Sequence, residues 1–309
     1  MSSVRVCTFN AENLFARYQF RSNQSPSDDG GFSINNLAFT LNNEREKDLT
    51  GRVIRDVDAD IVCLQEVENL PVLKRFASEH LASKNYKHRL LIDGNDPRMI
   101  DVAILSRFPI RAIRSHAFER NARNTASLFS RDCLVAEVTV PVDNQGNTAP
   151  LYFYINHFKS MMGGREQTRA RRQEQASRVA EILTDDFGEN LDGNFIVAGD
   201  FNDYPGDGTG VSALIDHPQL VNVVERLSPE DRWTHHWAGG NSYSQLDYLL
   251  LSKKLDTAAQ HPVPERNLKG LPYRAERYDG DRYDGVGETR PKASDHVPLF
   301  MDIPLTALP

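Results

Sequence analysis

Short runs of apolar residues recur along the 309-residue chain, each bounded by Gly, Pro, Asn or Asp. Their length and their content of Val, Ile, Leu and aromatic residues are typical of β-strands. Several runs are apolar at consecutive positions, which indicates strands that are covered on both faces. The runs are VRVCTFN, DIVCLQEV, VAILS, CLVAEVTV, LYFYINHF, NFIVAGDFN, LDYLLLS and VPLFMDI.

Three segments between these runs carry apolar residues at helical spacing. In EREKDLTGRVIRDVD the residues Leu49, Val53 and Val57 share one face, and NLPVLKRFASEHL and REQTRARRQEQASRVAEIL have similar stripes. Strands outnumber these helices, and several strands follow one another directly. We therefore expect a layered α/β protein with largely antiparallel pairing, folded as a single domain over residues 1–309.

Two segments fit neither pattern. Residues 17–43 are polar and rich in Ser and Asn, and residues 261–293 are rich in Pro, Gly, Arg and Tyr with the local echo RYDGDRYDG. Segments of this length without regular structure are usually functional or disordered. We predict two long loops there.

Composition and charge narrow the possible functions. Apolar residues make up 39% and charged residues 26%, which is ordinary for a soluble globular protein. The net charge of -7 argues against a protein that coats nucleic acid nonspecifically, but it leaves room for a local basic groove. Cys7, Cys63 and Cys133 lie in apolar runs without metal-site spacing, so we interpret them as buried hydrophobes. With no signal core or membrane span in the sequence, we expect a cytoplasmic protein without stable membrane association.

Most of the predicted strands end in, or follow, side chains suited to metal or phosphate chemistry. One such residue is usually a turn residue or a helix cap, but strand ends converge in layered folds, where catalytic groups collect. Carboxylate and amide oxygens suit Mg²⁺, a carboxylate suits activation of water, and His, Lys and Asn donors suit phosphate. The candidates are Asn10, Glu12, Gln65, Glu66, Asn156, His157, Lys159, Asp200, Asn202, Asp247, Asp295 and His296.

Taken in order, the motifs FN, QE, NHFKS, GDFN, LDYLLLS and SDH resemble those of the endonuclease/exonuclease/phosphatase superfamily, over residues 4–303. GDFN after an apolar strand is fairly specific, whereas SDH is weak alone. The resemblance implies a four-layer α/β sandwich of the DNase I-like type, with two mixed, mostly antiparallel sheets face to face and helices outside. It also implies a divalent cation, Mg²⁺ or Mn²⁺, with Ca²⁺ left open.

The resemblance implies four residues on the metal side of the site. Glu66 is the main ligand and Asn10 helps to hold the ion. Glu12 reaches the metal through water, and Asp295 assists.

The resemblance also implies the residues that act on the phosphate. Asp200 orients and activates the attacking water, and Asn202 supports the nucleophile or a phosphate oxygen. His296 contacts the scissile phosphate and is oriented by Asp247. His157 stabilises the transition state or protonates the leaving group.

Three cationic residues are candidates for substrate binding. Lys159 is two residues beyond His157, so both side chains face one side of the strand. Arg165 and Arg169 open a predicted helix, where positive charge opposes the macrodipole, and we predict that they bind substrate phosphate. The alternative is pairing with acidic neighbours such as Glu166. We expect Arg165→Gln to raise KM for a phosphodiester.

The remaining polar residues of interest carry no motif. We interpret the five other histidines considered as surface or packing residues, and two aspartates after GDFN as turn residues. They are His116, His217, His235, His236, His261, Asp203 and Asp207.

Three functions compete: a nuclease, a phosphatase or phosphodiesterase on a small molecule or lipid head group, and a non-catalytic binding protein. The last is weakest because every expected ligand type is present. NHFKS resembles bacterial nucleases of the superfamily, and LPYRAERYDGDRYDG offers stacking and phosphate contacts, with a mobile loop as the alternative. We predict a Mg²⁺- or Mn²⁺-dependent phosphodiesterase and favour nucleic acid as its substrate. No protein partner is predicted.

Overall fold

The computed structural model describes residues 2–16, 18–22, 32–34, 37–41, 44–143 and 145–308, with backbone only for the three segments between 18 and 41. The α-helices there are α1 (Glu44–Val57), α2 (Leu70–His80), α3 (Arg165–Phe187), α4 (Ser212–Ile215) and α5 (Lys253–Ala258). Short 3₁₀ helices lie at Ala82–Lys84, Val223–Arg226, Pro229–Asp231 and Leu305–Ala307. The strands are β1 (Ser3–Leu14), β2 (Tyr18–Ser22), β3 (Phe32–Ile34), β4 (Leu37–Leu41), β5 (Ile61–Val67), β6 (His88–Leu91), β7 (Asp101–Ser106), β8 (Ile110–Arg114), β9 (Cys133–Pro141), β10 (Thr148–His157), β11 (Phe195–Asp200), β12 (Leu220–Asn222), β13 (His235–Trp237), β14 (Ser242–Ser244), β15 (Asp247–Ser252), β16 (Glu265–Arg266) and β17 (Leu299–Pro304).

Two six-stranded sheets form the centre of the molecule. The first has the order β16-β17-β1-β5-β7-β6 and the second β12-β15-β11-β10-β9-β8. In each sheet one inner pair is parallel, β1 with β5 and β11 with β10, and the other pairings are antiparallel. The two sheets therefore repeat one arrangement of strand directions.

Apolar side chains fill the space between the sheets, among them Val6, Phe153 and Ile196. Helices α1 and α2 cover the outer face of the first sheet, and α3 and α4 cover the outer face of the second. In β1 the core-facing Val6 and the helix-facing Phe9 are both fully buried, as expected for strands covered on both faces. The prediction of a four-layer α/β sandwich is confirmed.

The two predicted loops differ in the structure. Within residues 17–43, strands β2, β4 and β3 form a small antiparallel sheet, and the rest of that segment lies outside the described residues. Strands of three to five residues in a Ser- and Asn-rich segment give too little pattern to be recognised. Regular structure in residues 261–293 is confined to β16. That segment is held by its own contacts, such as those from Arg282 to the carbonyls of Leu271 and Tyr278.

The three cysteines are buried free thiols, as expected. Among the described helices, none has both the length and the apolar content needed to cross a bilayer. A cytoplasmic location stays a prediction.

Candidate active site

Strand pairing in the second sheet brings three predicted residues together. Parallel pairing of β10 with β11 sets His157 opposite Asp200, and antiparallel pairing of β11 with β15 sets Asp247 opposite Asp200. The close pairing depends on Gly199, whose φ is +136° and where a Cβ would lie 1.9 Å from the carbonyl oxygen of Asn156. A side chain at Gly199 would therefore separate the strands next to the site.

Asn10 and Glu66 belong to the first sheet and lie next to this group of residues. Asn10 lies at the end of the regular β1–β5 pairing, and its Nδ2 donates to Asp200 Oδ2 across the sheet interface at 3.0 Å. The β5–β7 register shifts between Leu64 and Val67, and Glu66 has a φ of 63°. Such an irregularity redirects a side chain at a strand end, and here it turns the side chain of Glu66 towards the site.

The carboxylate of Asp200 is the hub of the cluster and is only 1% exposed. Its Oδ2 accepts from Asn10 Nδ2 at 3.0 Å and from Asn202 Nδ2 at 3.1 Å. His157 Nε2 lies 3.5 Å from the same oxygen, and His296 Nε2 lies 3.7 Å from it. The backbone amide of Asn202 donates to Oδ1 at 2.8 Å. The structure thus gathers donors from both sheets around one carboxylate.

Burial dominates the electrostatics of this cluster. The pKa of Asp200 is raised to about 7, because burial outweighs the opposing positive charge of His296 and the Asp247 carboxylate adds to the increase. Burial also raises the pKa of Glu66, aided by the negative charge of Asp295. Asp200 and Glu66 are therefore desolvated carboxylates whose charged forms are further disfavoured by neighbouring negative charge.

His296 is fixed from two directions. Its Nδ1 lies 2.8 Å from Asp247 Oδ2, and its backbone amide donates to Ser294 Oγ, which itself donates to the carbonyl of Asn10. Burial alone would lower the pKa of His296, but the carboxylates of Asp247 and Asp200 raise it well above its usual value. The imidazole is therefore oriented with Nε2 towards the cluster and favours its cationic form.

His157 is held in the opposite state. Its Nε2 lies between Asp200 Oδ2, at 3.5 Å, and Glu66 Oε1, at 3.8 Å. Burial, helped by the positive charge of Arg131, lowers the pKa of His157 well below its usual value. Nδ1 has no hydrogen-bond partner among the described residues, so a neutral ring with its proton on Nε2 fits these surroundings.

Both oxygens of Glu12 are engaged by the segment that carries Asp295. Oε1 lies 2.7 Å from Arg290 Nη2, and Oε2 lies 2.8 Å from Lys292 Nζ and accepts from the Asp295 amide at 2.8 Å. These contacts tie β1 to residues 290–295. A water-mediated metal contact of Glu12 stays a prediction that the contacts do not favour.

His235 was interpreted from the sequence as a surface or packing residue, but the structure places it in the site. It lies in β13 and forms an isolated β-bridge with His296, and the two rings contact each other at a tilt with a centroid distance of 4.6 Å. Its Nε2 is 3.9 Å from Asp295 Oδ2. The HH pair in WTHHW has no motif around it. Its contacts with residues 295–296, which are distant in sequence, could therefore not be predicted.

Lys159 belongs to a basic group beside the site that the sequence only partly indicated. Arg131 Nη1 pairs with Asp96 Oδ2 at 3.1 Å, and Nη2 donates to the Phe158 carbonyl, which also accepts from Asn202. Burial lowers the pKa of Lys159, and the charge of Arg131 lowers it further. Burial and neighbouring positive charge thus both disfavour the charged form of Lys159.

Arg165 and Arg169 bind protein acceptors. Arg165 Nε lies 2.6 Å from Asp203 Oδ1, Nη2 donates to the Tyr204 carbonyl, and the guanidinium stacks 3.7 Å from the centroid of the Tyr204 ring. Arg169 Nη2 pairs with Glu166 Oε1 at 2.7 Å. Their contacts correspond to the alternative of acidic pairing, and phosphate binding by either stays a prediction.

The donor set fits a divalent cation. Glu66 makes one ion-pair contact within the described chain, at 3.8 Å from His157, and Asp247 Oδ1 is a buried oxygen without a hydrogen-bond partner there. Buried carboxylates that lie together repel one another unless a positive charge compensates them. Carboxylate and amide oxygens are the ligands that Mg²⁺ and Mn²⁺ prefer.

Comparison with known proteins identifies the fold. The model of the Endonuclease/Exonuclease/phosphatase family matches residues 7–296. No curated protein matches the chain. Truncated Caenorhabditis elegans TDP2 is 15% identical with a TM-score of 0.59, covering 98% of this chain and 97% of that one. The human Nocturnin catalytic domain with bound sulfate is 17% identical with a TM-score of 0.58, covering 97% and 93%. D. rerio TDP2 with a single strand DNA product is 18% identical with a TM-score of 0.55, covering 98% and 99%.

Proposed function

The chain belongs to the Endonuclease/Exonuclease/phosphatase family, and we propose that it is a metal-dependent phosphodiesterase that attacks phosphorus with an activated water. Family membership supports hydrolysis of phosphoester bonds without selecting a substrate. The observation that carries the proposal is the environment of Asp200 Oδ2, which has two amide donors and two imidazole nitrogens within 3.7 Å. This carboxylate is suited to take a proton from water beside groups that bind phosphate.

Asp200 acts as the base, and its neighbours fix its orientation. Asn10 and Asn202 each donate an amide hydrogen to Oδ2, and the Asn202 backbone holds Oδ1. These bonds hold the carboxylate in one rotamer before substrate binds. Such preorganisation avoids reorganisation during the reaction.

Two histidines complete the phosphate side. His296, held at Nδ1 by Asp247, directs Nε2 at a phosphate oxygen and contributes positive charge to it. His157, as a neutral ring, donates from Nε2 to the transition state or to the leaving oxygen. Two imidazoles in different protonation states thus serve different steps.

Glu66 and Asn10 would hold the divalent cation, with Asp295 nearby. When bound, the ion supplies positive charge that stabilises the developing charge on the phosphate oxygens. The desolvated Glu66 carboxylate is the strongest ligand in this set because no protein cation within the described residues pairs closely with it.

The surroundings of the site support nucleic acid as the substrate. The rim of the site contains the partly exposed Lys159 and the exposed Arg98, whereas Arg131 is buried, and the whole chain has a net charge of -7. The segment that follows His157 and Lys159 exposes Met162 at 78%. Cations beside exposed apolar side chains suit a chain of phosphates with bases that stack.

A metal-dependent substrate panel tests this proposal. Purified protein is freed of metal with EDTA and supplied with Mg²⁺, Mn²⁺ or Ca²⁺, on plasmid DNA, single-stranded DNA, RNA, inositol phosphates, sphingomyelin and bis-p-nitrophenyl phosphate. We expect cleavage of a nucleic acid that stops with EDTA and returns with Mg²⁺ or Mn²⁺. Cleavage of sphingomyelin or an inositol phosphate alone would overturn the assignment to nucleic acid.

Lys159→Gln separates binding of the rim from chemistry. We expect KM for an oligonucleotide to rise by roughly tenfold, because a contact to a neighbouring phosphate is lost. Bis-p-nitrophenyl phosphate has one phosphate, so its kcat/KM should change by less than about twofold. The control is Lys254→Gln, an exposed lysine that pairs with Asp192 at 3.1 Å. An equal fall in kcat/KM on both substrates would contradict a contact between Lys159 and a second phosphate.

A further inference from the structure

His235 is held beside His296 by the backbone. The amide of His236 donates to the carbonyl of Asp295 at 2.9 Å, and His235 forms an isolated β-bridge with His296. The two rings lie 4.6 Å apart with an interplanar angle of 48°. The side chain of His235 is only 16% exposed. Its position is therefore set by the fold and does not depend on a flexible side chain.

Three ligand atoms converge between these residues. His235 Nε2 is 3.9 Å from Asp295 Oδ2, and His296 Nε2 is 4.0 Å from Asp295 Oδ1. One ligand atom from each of the three residues lies within 4.8 Å of the others. Zinc holds N and O ligands at about 2.0–2.2 Å, so ligand atoms in a tetrahedral centre are roughly 3.4 Å apart. The ligand atoms, which lie within 4.8 Å of one another, must therefore move closer by up to about 1.4 Å when an ion binds.

The surroundings of His296 have the arrangement of a metal-binding histidine. Its Nδ1 lies 2.8 Å from Asp247 Oδ2, so Nε2 is the ring nitrogen that can bind an ion once its proton has left. A carboxylate behind the ring fixes the tautomer and strengthens the nitrogen as a ligand. Two imidazoles and one carboxylate suit zinc and similar transition metals, whereas Mg²⁺ prefers oxygen ligands only.

Lys292 is the charge that opposes this site. Its Nζ is 3.7 Å from Asp295 Oδ2, although it makes a closer contact of 2.8 Å with Glu12 Oε2. A weakly coordinating cation gains little against this lysine. An ion that forms strong bonds to imidazole is favoured, so the lysine adds to the selectivity for transition metals.

We propose that His235, Asp295 and His296 form a second divalent-metal site that takes an imidazole-preferring ion such as Zn²⁺, and that its occupancy inhibits the phosphodiesterase. The inhibitory half rests on the proposed function, because it removes His296 Nε2 from the scissile phosphate. Binding releases the proton of His296 to solvent. The site leaves a fourth position open for water.

Cobalt titration of the tag-free full chain tests the site directly. With saturating Mg²⁺ present to fill the site of Glu66 and Asn10, we expect one Co²⁺ to bind with a visible d–d absorption band, and His235→Asn to weaken its affinity by at least about tenfold and to change the band, since one ligand is lost. One control is His236→Asn, which removes the adjacent imidazole that contacts Asn241. The other is His80→Asn, which removes the histidine of a surface group with Glu44 and Glu79 that could also hold a metal ion. Unchanged affinity and band in His235→Asn would overturn the site.

Zinc inhibition tests the second half. With saturating Mg²⁺, we expect Zn²⁺ to inhibit the wild type at concentrations at least about tenfold lower than those needed for His235→Asn, in line with the weaker binding. Equal inhibition of both proteins contradicts the inhibitory role. If the wild type cleaves no phosphodiester, the proposed function fails while the cobalt result still decides the site. If His235→Asn does not fold, His235→Gln takes its place, and the measurement is the rise in Tm that Zn²⁺ causes. A rise in His235→Gln as large as that of the wild type counts against the site.

Discussion

Two carboxylates three residues apart in GDFND show opposite electrostatics. Asp203 is fully buried, yet Arg165 Nε lies 2.6 Å and Arg172 Nε 2.8 Å from its oxygens, and the Gly210 amide donates to it at 2.7 Å. Burial alone raises the pKa of Asp203, but the Gly210 amide and the two arginines bring it below its usual value. Asp200 is equally buried among other carboxylates, and its pKa is raised to about 7.

The difference separates a structural carboxylate from a functional one. From the sequence we interpret Asp203 as a turn residue. The contacts of Asp203 show that it also anchors α3 to the segment after β11. Asp200 has no arginine or lysine paired with it among the described residues, and its nearest cationic group is the His296 ring at 3.7 Å, so burial is not fully compensated. A buried acid without full compensation is a mark of a reactive site.

The largest expected effect comes from Asp200→Asn. We expect kcat to fall by roughly two or more orders of magnitude, because the base is lost while shape is kept. Steady-state rates on the best substrate of the panel measure it, and circular dichroism checks the fold. Asp192→Asn, an exposed aspartate, is the matched control. Near-normal turnover would remove Asp200 from the role of base.

Asp203→Asn should lower the stability of the protein while kcat changes little. It leaves the fully buried Arg172 without its carboxylate, and breaking such a pair costs about 3–5 kcal/mol of unfolding free energy. Urea denaturation measures the loss, and kcat is determined well below the new Tm. A loss below about 1 kcal/mol would mean that Arg172 finds another partner.

The pH dependence of stability distinguishes the two acids in metal-free buffer. The pKa of Asp200 is raised in the folded state, so its ionisation destabilises the protein as pH rises from about 4 to about 7. Asp200→Asn should therefore gain stability relative to wild type over that window. The pKa of Asp203 is lowered, so its contribution is present above about pH 4 and is lost at lower pH. Parallel wild-type and variant curves from pH 3 to 8 would contradict this assignment.

Arg165→Gln gives the smallest expected effect. Arg172 still compensates Asp203, and Arg165 is 24% exposed, so we expect a loss of about 1 kcal/mol. From its contacts with Asp203 and Tyr204 we expect KM to change less than about twofold, in contrast to the increase expected from the sequence. A severalfold rise in KM with unchanged stability would favour the phosphate-binding role.

Much of the fold could be predicted because its signals are local. Strands such as β11 are apolar at consecutive positions, and the stripe on α1 has helical spacing. Strands β2, β3 and β4 were missed because three to five residues carry little period. The repeated strand order of the two sheets was also beyond reach, since it depends on pairing between distant segments.

The site was predictable where a residue ends a strand. Asn10, Asp200 and Asp247 are placed by strand register, so their convergence follows once the sheets form. His235 lies in the three-residue strand β13 and Arg131 just before β9, both are positioned by contacts with distant segments, and no sequence motif marks them. The partners of Arg165 were missed for a related reason, because the buried position of Asp203 depends on how the segment after β11 packs on α3.

The hydrogen bond between Asn10 and Asp200 spans the interface of the two sheets. Asn10 lies at the end of the parallel pair in the first sheet, and Asp200 lies at the end of the parallel pair in the second. The geometry of the candidate site therefore depends on the distance between the sheets. Because the proposed reaction depends on this bond, we expect a core substitution that alters the spacing of the sheets to lower kcat while the strands stay paired. We therefore expect kcat to respond to core packing more strongly than the melting temperature does.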